Sequence, residues 1–191
     1  MSPRKAVEQE LTREMIMEAA RDLFIENGYR HTSMRQIAKK LNYSHGAIYY
    51  HFKNKAALFF ALVEANFSSL NEMLEEVMAS SLSAEEKLEN VLLGFIEYGM
   101  TNQSDYEIMF LIQDKELKRY TENAPDASYE RFAAAIRELC PGQVTLKDTW
   151  LLFLSLHGFV TMYCRSGQTM ADVEELAQAH VKFLLKAIRH D

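Results

Sequence analysis

Between Glu26 and Glu64 the chain contains no aspartate and no glutamate. That absence matters because the protein as a whole is acidic, with 27 Asp and Glu against 21 Lys and Arg in 191 residues. Other scarcities narrow the class. Cys140 and Cys164 are the only cysteines, too few for a disulfide framework. Both are expected as small core residues of a reduced, cytoplasmic protein. With 7 glycines and 3 prolines, few positions can interrupt a helix. No segment shows the sustained period-two alternation of a strand. The first residues lack the apolar stretch of a secretory signal. The most apolar run, Thr149 to Cys164, carries Ser155, His157 and Gly158 and is shorter than the ~20 residues that span a bilayer. No P-loop, dinucleotide fingerprint, HExxH or GxSxG occurs, and no His, Asp or Glu pair has a catalytic spacing. The expectation is a protein that is no enzyme, with no catalytic residue, no metal, no cofactor and no membrane segment.

What is present is unevenly placed. Residues 1–55 carry ten Lys and Arg against six Asp and Glu, a net of +4. Residues 56–191 carry eleven against twenty-one, a net of −10. The window from residue 30 to 55 holds Arg30, Arg35, Lys39, Lys40, Lys53 and Lys55, interleaved with His31, His45, His51, Tyr43, Tyr49 and Tyr50. A basic stretch free of acids on an acidic chain points to a polyanion docked against it.

The spacing of apolar residues predicts an all-α protein of about nine helices. A first helix runs from about Thr12 to Asn27, with Ile16, Ala19, Ala20, Leu23 and Phe24 on one face and Gly28 as its stop. A second opens on the capping box Ser33-Met34-Arg35-Gln36 and ends at Asn42, which tolerates the left-handed conformation. Ser44 caps a short third helix, with Ala47, Ile48 and Phe52 inward. A long fourth helix is predicted from about Asn54 to Met78. Further helices are expected near 84–101, 104–119, 126–139, 145–166 and 171–189, with Glu122 to Ser128, which contains Pro125, as a mobile loop.

Two short helices joined by a tight polar turn describe a helix-turn-helix, whose second helix enters the major groove of DNA. Gly46, with no side chain, permits close approach to base edges. The series Ile37-Ala38, Ser44-x-Gly46-x-Ile48-Tyr49-x-His51-Phe52-x-x-Lys55-x-x-Leu58 resembles the signature of TetR-type transcriptional regulators. Ala19, Leu23, Phe24, Gly28, Tyr29, Thr32 and Ser33 extend the resemblance, which covers about residues 12 to 62. One departure is Leu41-Asn42-Tyr43-Ser44, where many relatives have Ala-Gly-Val-Ser; the bulkier Tyr43 bears on the angle between the two helices.

The resemblance implies a DNA-binding domain over residues 1–55 and an effector-binding and dimerisation domain over 56–191. It implies phosphate contacts from Thr32, Ser33, Arg35, Tyr49, His51 and Lys55, and base contacts from His45, Ala47 and Tyr50, with Ser44 and Gly46 in the same interface. It implies a homodimer on a palindromic double-stranded operator, joined through the last two helices. Leu154, Gly158, Thr161, Leu176, His180, Phe183, Leu184 and Ala187 are the expected dimer residues. A pocket for a small, apolar or aromatic effector is expected among Phe95, Tyr98, Tyr106, Met109, Phe110, Phe132, Trp150 and His157. The same aromatic stripe also suits an ordinary core. Glu97, Glu107 or Asp114 would meet a cationic ligand only if turned inward. A body that docks another protein is the alternative to one that binds a small molecule.

Overall fold

The computed structural model describes residues 10–112, 114, 117 and 124–188. Among these residues the chain is helical and contains no strand. The helices are α1 (Arg13–His31), α2 (Met34–Leu41), α3 (His45–His51), α4 (Lys55–Ala79), α5 (Ala84–Thr101), α6 (Gln103–Tyr106), a π-helical turn (Glu107–Leu111), α7 (Ala124–Leu139), α8 (Leu146–Tyr163) and α9 (Met170–Ile188). No helix of the described residues is long and apolar enough to cross a membrane.

The chain divides into two compact units. One comprises Met1–Ala65 with Glu107–Glu122, the other Asn66–Tyr106 with Asn123–Asp191. The boundary therefore falls inside α4 rather than at residue 55. The physical reason is the apolar start of α4: Leu58, Phe59 and Leu62 are buried. Phe59 packs edge-on against Phe24 and Tyr29 at ring distances of 5.4 and 5.3 Å. The rest of that core is Ile16, Ala19 and Ala20 of α1, Met34, Ile37 and Ala38 of α2, and Ile48 of α3.

Local chemistry fixes the ends of the elements. The Thr12 hydroxyl accepts from the Met15 N–H at 3.2 Å. Gly28 leaves helical geometry at φ 77°, which kinks α1 before its last turn, Tyr29–His31. Ser33–Gln36, Ser83–Glu86 and Thr145–Asp148 form capping boxes at α2, α5 and α8.

In the second unit α5 packs against α7, α8 and α9. Val91, Leu92, Phe95, Ile96 and Met100 are its buried face. Gly99 makes the close crossing possible, since a Cβ there would stand 2.5 Å from a Val160 methyl.

Two expected elements differ. The helix over 104–119 is a short α6 followed by a π turn, closed by the Ile112 N–H donating to the Glu107 carbonyl at 3.0 Å. Residues 113, 115, 116, 118 and 119 lie outside the described residues. The expected mobile loop is helical from Ala124, because Pro125 falls in the first turn, where no N–H is needed. The Ser128 hydroxyl is buried and donates to Asn71 Oδ1 at 2.8 Å. Glu122 and Asn123 lie outside the described residues. Of the two cysteines, Cys140 is buried, whereas Cys164 is half-buried at the end of α8.

Candidate nucleic-acid interface

The α2–α3 pair is locked from inside. Asn42 adopts the left-handed conformation (φ 61°), so Asn serves where a glycine would be expected. The Tyr43 N–H then reaches back to the Ala38 carbonyl at 3.0 Å. Ser44 caps α3 by accepting from the Ala47 N–H at 3.2 Å. Ile48 is fully buried and fixes the rotation of α3. The opposite face presents His45, Gly46, Tyr49 and Tyr50 to solvent, with Ala47 and His51 half-buried. Tyr50 is 88% exposed, the highest value of any large apolar residue described. The His45 ring packs edge-on to Tyr49 at 4.6 Å, which stiffens both tips. A Cβ on Gly46 would meet nothing within 4 Å.

The basic residues divide into two groups. Arg35, Lys39 and Lys53 are exposed beside α2 and α3. Others are engaged within the head. Lys40 pairs with Asp22 at 2.6 Å, and Arg30 with the buried Asp114 at 2.6 Å. Lys55, expected at a phosphate, is tied within the head as well. Its ammonium donates to the Tyr29 and Thr32 carbonyls at 2.7 and 3.0 Å and lies 4.0 Å over the Tyr29 ring. It thus satisfies carbonyls left open where α1 ends. Thr32, also expected at a phosphate, is tied there too. It is buried, with its hydroxyl 2.8 Å from the Leu23 carbonyl and 2.9 Å from that of Gly28, next to the break in α1. Ser33 is exposed, with its hydroxyl committed to the α2 cap.

Arg13 was not foreseen. It donates to the His51 carbonyl at 2.9 Å and lies 4.1 Å over the Phe52 ring, so it fastens α3 to α1. The two residues are 38 positions apart, and no local pattern joins them.

In the second unit the structure brings together Phe95, Tyr106, Phe132, Trp150 and His157 through one ring that was not foreseen, Phe153. Phe95 and Phe132 lie 5.9 and 6.4 Å from it, Trp150 5.4 Å and His157 5.8 Å. Its signal was present, since it stands three residues after Trp150 and four before His157 on one helix. Trp150 is 46% exposed rather than enclosed, because it lies close to the start of α8. Tyr106 is fully buried, and its hydroxyl lies 2.5 Å from His157 Nδ1. Burial pushes the Tyr106 pKa up and the His157 pKa down. The phenol therefore keeps its proton beside a neutral imidazole, and the tautomer of that ring sets which of the two donates; its Nε2 faces Thr161 Oγ1 at 3.5 Å. Tyr98 stands apart, donating to the Asn66 carbonyl at 2.8 Å. Met109 and Phe110 belong to the π turn, in the first unit. Glu107 and Asp114 are buried in that same unit.

The expected dimer residues follow the helical period with one exception. Leu154, Gly158 and Thr161 are exposed on α8, as are Leu176, Phe183 and Ala187 on α9. Leu151 and Met162 extend the stripe at 55% and 75% exposure. His180 is half-buried, its Nε2 3.1 Å from Ser155 Oγ. Leu184 is the exception: it is buried, in register with Val173, Ala177 and Val181 on the inner face of α9. A groove of about 470 Å³ runs beside the stripe, lined by Leu151, Leu154, Ser155 and Ala187 among others.

Residues 16–62, the whole of this head except its edges, match the family described as bacterial regulatory proteins, tetR family. The uncharacterized HTH-type transcriptional regulator YhgD of Bacillus subtilis is 32% identical over 96 residues, half of each chain. The HTH-type transcriptional regulator AcrR of Shigella flexneri is 32% identical over 119 residues, 60% of this chain and 54% of its own. The chain thus spans about half the length of the curated relatives it matches. A solved structure of the transcriptional regulator FadR from Bacillus subtilis, in complex with stearoyl-CoA, superposes with a TM-score of 0.73 at 19% identity, covering 94% of this chain and 98% of that one. That likeness concerns the fold. The family model thus matches residues 16–62, and the likeness to the curated relatives extends over 96 to 119 residues of the chain.

Proposed function

We propose that the protein is a homodimeric, sequence-specific DNA-binding transcriptional regulator. It acts as a repressor, released from a palindromic operator when a small, largely apolar effector binds the helical body. One observation carries the DNA-binding part: α3 is pinned inward by Ile48 and turns His45, Gly46, Tyr49 and Tyr50 outward beside Arg35, Lys39 and Lys53. The head supplies the shape of a groove reader and the charge of a phosphate binder on one surface. Arg35, Lys39, Lys53, Tyr49 and His51 are assigned to the phosphates, and His45, Ala47 and Tyr50 to base edges. Salt titration tests this. Three exposed cations per head, six per dimer, give a log–log slope of about −5. A flat response refutes the role.

The dimer rests on the apolar stripe of α8 and α9, since exposed leucine, methionine and phenylalanine at helical spacing call for a cover. The effector rests on the aromatic cluster around Phe153 and its polar pair, Tyr106 and His157, and on a structural neighbour that holds an acyl-CoA. Effector release requires unequal affinity for the free and DNA-bound states, and the coupling is reciprocal. An effector whose affinity is unchanged by operator DNA contradicts it. The same stripe favours the second reading, a body that docks another protein. Sedimentation of the pure protein separates the two: a dimer supports the first reading and a monomer the second.

A further inference from the structure

α3 has seven residues, about two turns, and is too short to hold its shape alone. Its start is fixed by the Asn42 turn and the Ser44 cap, and its middle by the buried Ile48. Its end needs a fastening of its own. Phe52 leaves helical geometry there and is buried. The His51 carbonyl is one of the terminal acceptors that no later turn of the helix serves.

Arg13, the first residue of α1, supplies that fastening. One guanidinium nitrogen donates to the His51 carbonyl at 2.9 Å, and the guanidinium carbon lies 4.1 Å over the Phe52 ring. For α1 the placement is unfavourable, because a cation in the first turn opposes the positive end of the helix dipole. For α3 it is favourable, since the C-terminal end of a helix carries the opposite partial charge. Arg13 thus works for a helix other than its own. The position of that end decides where the outward side chains of α3 stand. α3 is about 10 Å long, so a tilt of about 10° about its capped start moves its end by about 2 Å. A hydrogen bond to a base edge tolerates roughly a few tenths of an ångström. Such a tilt displaces Tyr50 and His51 and leaves Arg35 and Lys39, which stand on α2, in place.

We propose that Arg13 is a positioning residue for DNA recognition: by fastening the end of α3 to the start of α1 it sets the angle at which α3 enters the groove, and it touches neither base nor phosphate itself. Its use rests on the DNA-reading role proposed for the head. An exposed arginine beside such an interface has two possible roles, and they differ in what they do to affinity. A phosphate contact strengthens binding to every sequence alike and adds about one unit to the salt slope. A positioning tie favours only the sequence that α3 reads and leaves the slope as it was.

The test compares wild type, Arg13→Gln and Arg13→Lys on two DNA probes of equal length. One is a fragment that the wild-type protein retains from its own genome, and the other is the same fragment with its base order scrambled. Arg13→Gln should weaken binding to the first about tenfold and to the second less than about twofold, with the salt slope on the first unchanged. Arg13→Lys keeps a cation over Phe52 without the planar fork, and should fall between wild type and Arg13→Gln. Equal weakening on both probes, with a slope lowered by about 2 per dimer, makes Arg13 a phosphate contact and overturns the proposal. Unchanged affinity on both probes overturns it as well. Hydrogen exchange of the free protein is the second arm. Arg13→Gln should speed exchange of the Phe52 N–H, which donates to the Ile48 carbonyl at 3.0 Å, by about fivefold, and should leave Ile37 and Ala38 of α2 unchanged. Faster exchange throughout the head overturns the proposal, because Arg13 would then support the fold in general and not α3 in particular. Wild type that retains no fragment refutes the DNA reading, while the exchange arm still decides whether Arg13 holds α3.

Discussion

Gly46 occupies the first turn of α3 with open space where a Cβ would stand. Nothing inside the protein requires a glycine there, and glycine costs a helix about 1 kcal/mol against alanine. On the proposed reading its use is external, at the DNA. Gly46→Val is expected to leave the melting temperature within a few degrees and to weaken DNA binding at least about tenfold, equivalent to about 1.4 kcal/mol. Thermal melts beside DNA titrations check this, and unchanged affinity would remove Gly46 from the interface. The ties that Lys55 and Thr32 make within the head were not legible. Their types suit a phosphate, but their partners are carbonyls freed by the Gly28 kink, and a kink's geometry is not written in spacing. His157 carries a pH prediction. Burial holds its folded pKa below the ordinary value of 6.5. Unfolding then takes up a proton as the pH falls below about 6.5, so the contribution of this group is present above that pH and lost on acidification. Melts at pH 7 and pH 5 should show a smaller acid loss in His157→Gln than in wild type. Equal losses would contradict the assignment.

At the scale of elements, the helix starts were the most legible feature. Thr12, Ser33 and Ser44 each cap the helix that their position predicts, because capping is decided within four residues. Ser33→Ala is expected to cost about 1 kcal/mol of stability, since it removes the hydroxyl from a complete capping box. Denaturant unfolding measures this, and a change below a few tenths would show the box to be idle. Asn42 makes a sharper case: Asn42→Gly should be nearly neutral, and Asn42→Ala should lose about 1–2 kcal/mol, because its φ of 61° is left-handed. The π turn was not legible. Its five residues, Glu-Ile-Met-Phe-Leu, suit an α-helix equally well, and the packing of the turn on α1 is a long-range contact with no local mark. Pro125 misled in the other direction, since proline opens a helix as readily as it interrupts one.

For the whole molecule, the division of charge between head and body was plain in the sequence, whereas the division into units was not. The aromatic start of α4 assigns its first turns to the head, and the chain returns to that unit at Glu107, a long-range event with no local mark. The outer stripe of α8 and α9 was largely legible from its 3.6-residue period; Leu184 stands at its edge, buried yet lining the groove beside the stripe. The proposed dimer rests on that stripe. Leu154→Glu with Phe183→Glu should leave the far-ultraviolet spectrum unchanged, convert the protein to a monomer in sedimentation, and weaken operator binding at least about a hundredfold as two linked heads become one. A dimer that survives both charges would place the interface elsewhere. The central claim is that this head reads DNA sequence as a pair. The most direct measurement is to incubate the protein with sheared DNA of its own genome near physiological salt and to sequence what it retains. Enrichment of an inverted repeat, with half-sites spaced for one head each, is the predicted result. Retention of all fragments alike, or of none, would contradict it.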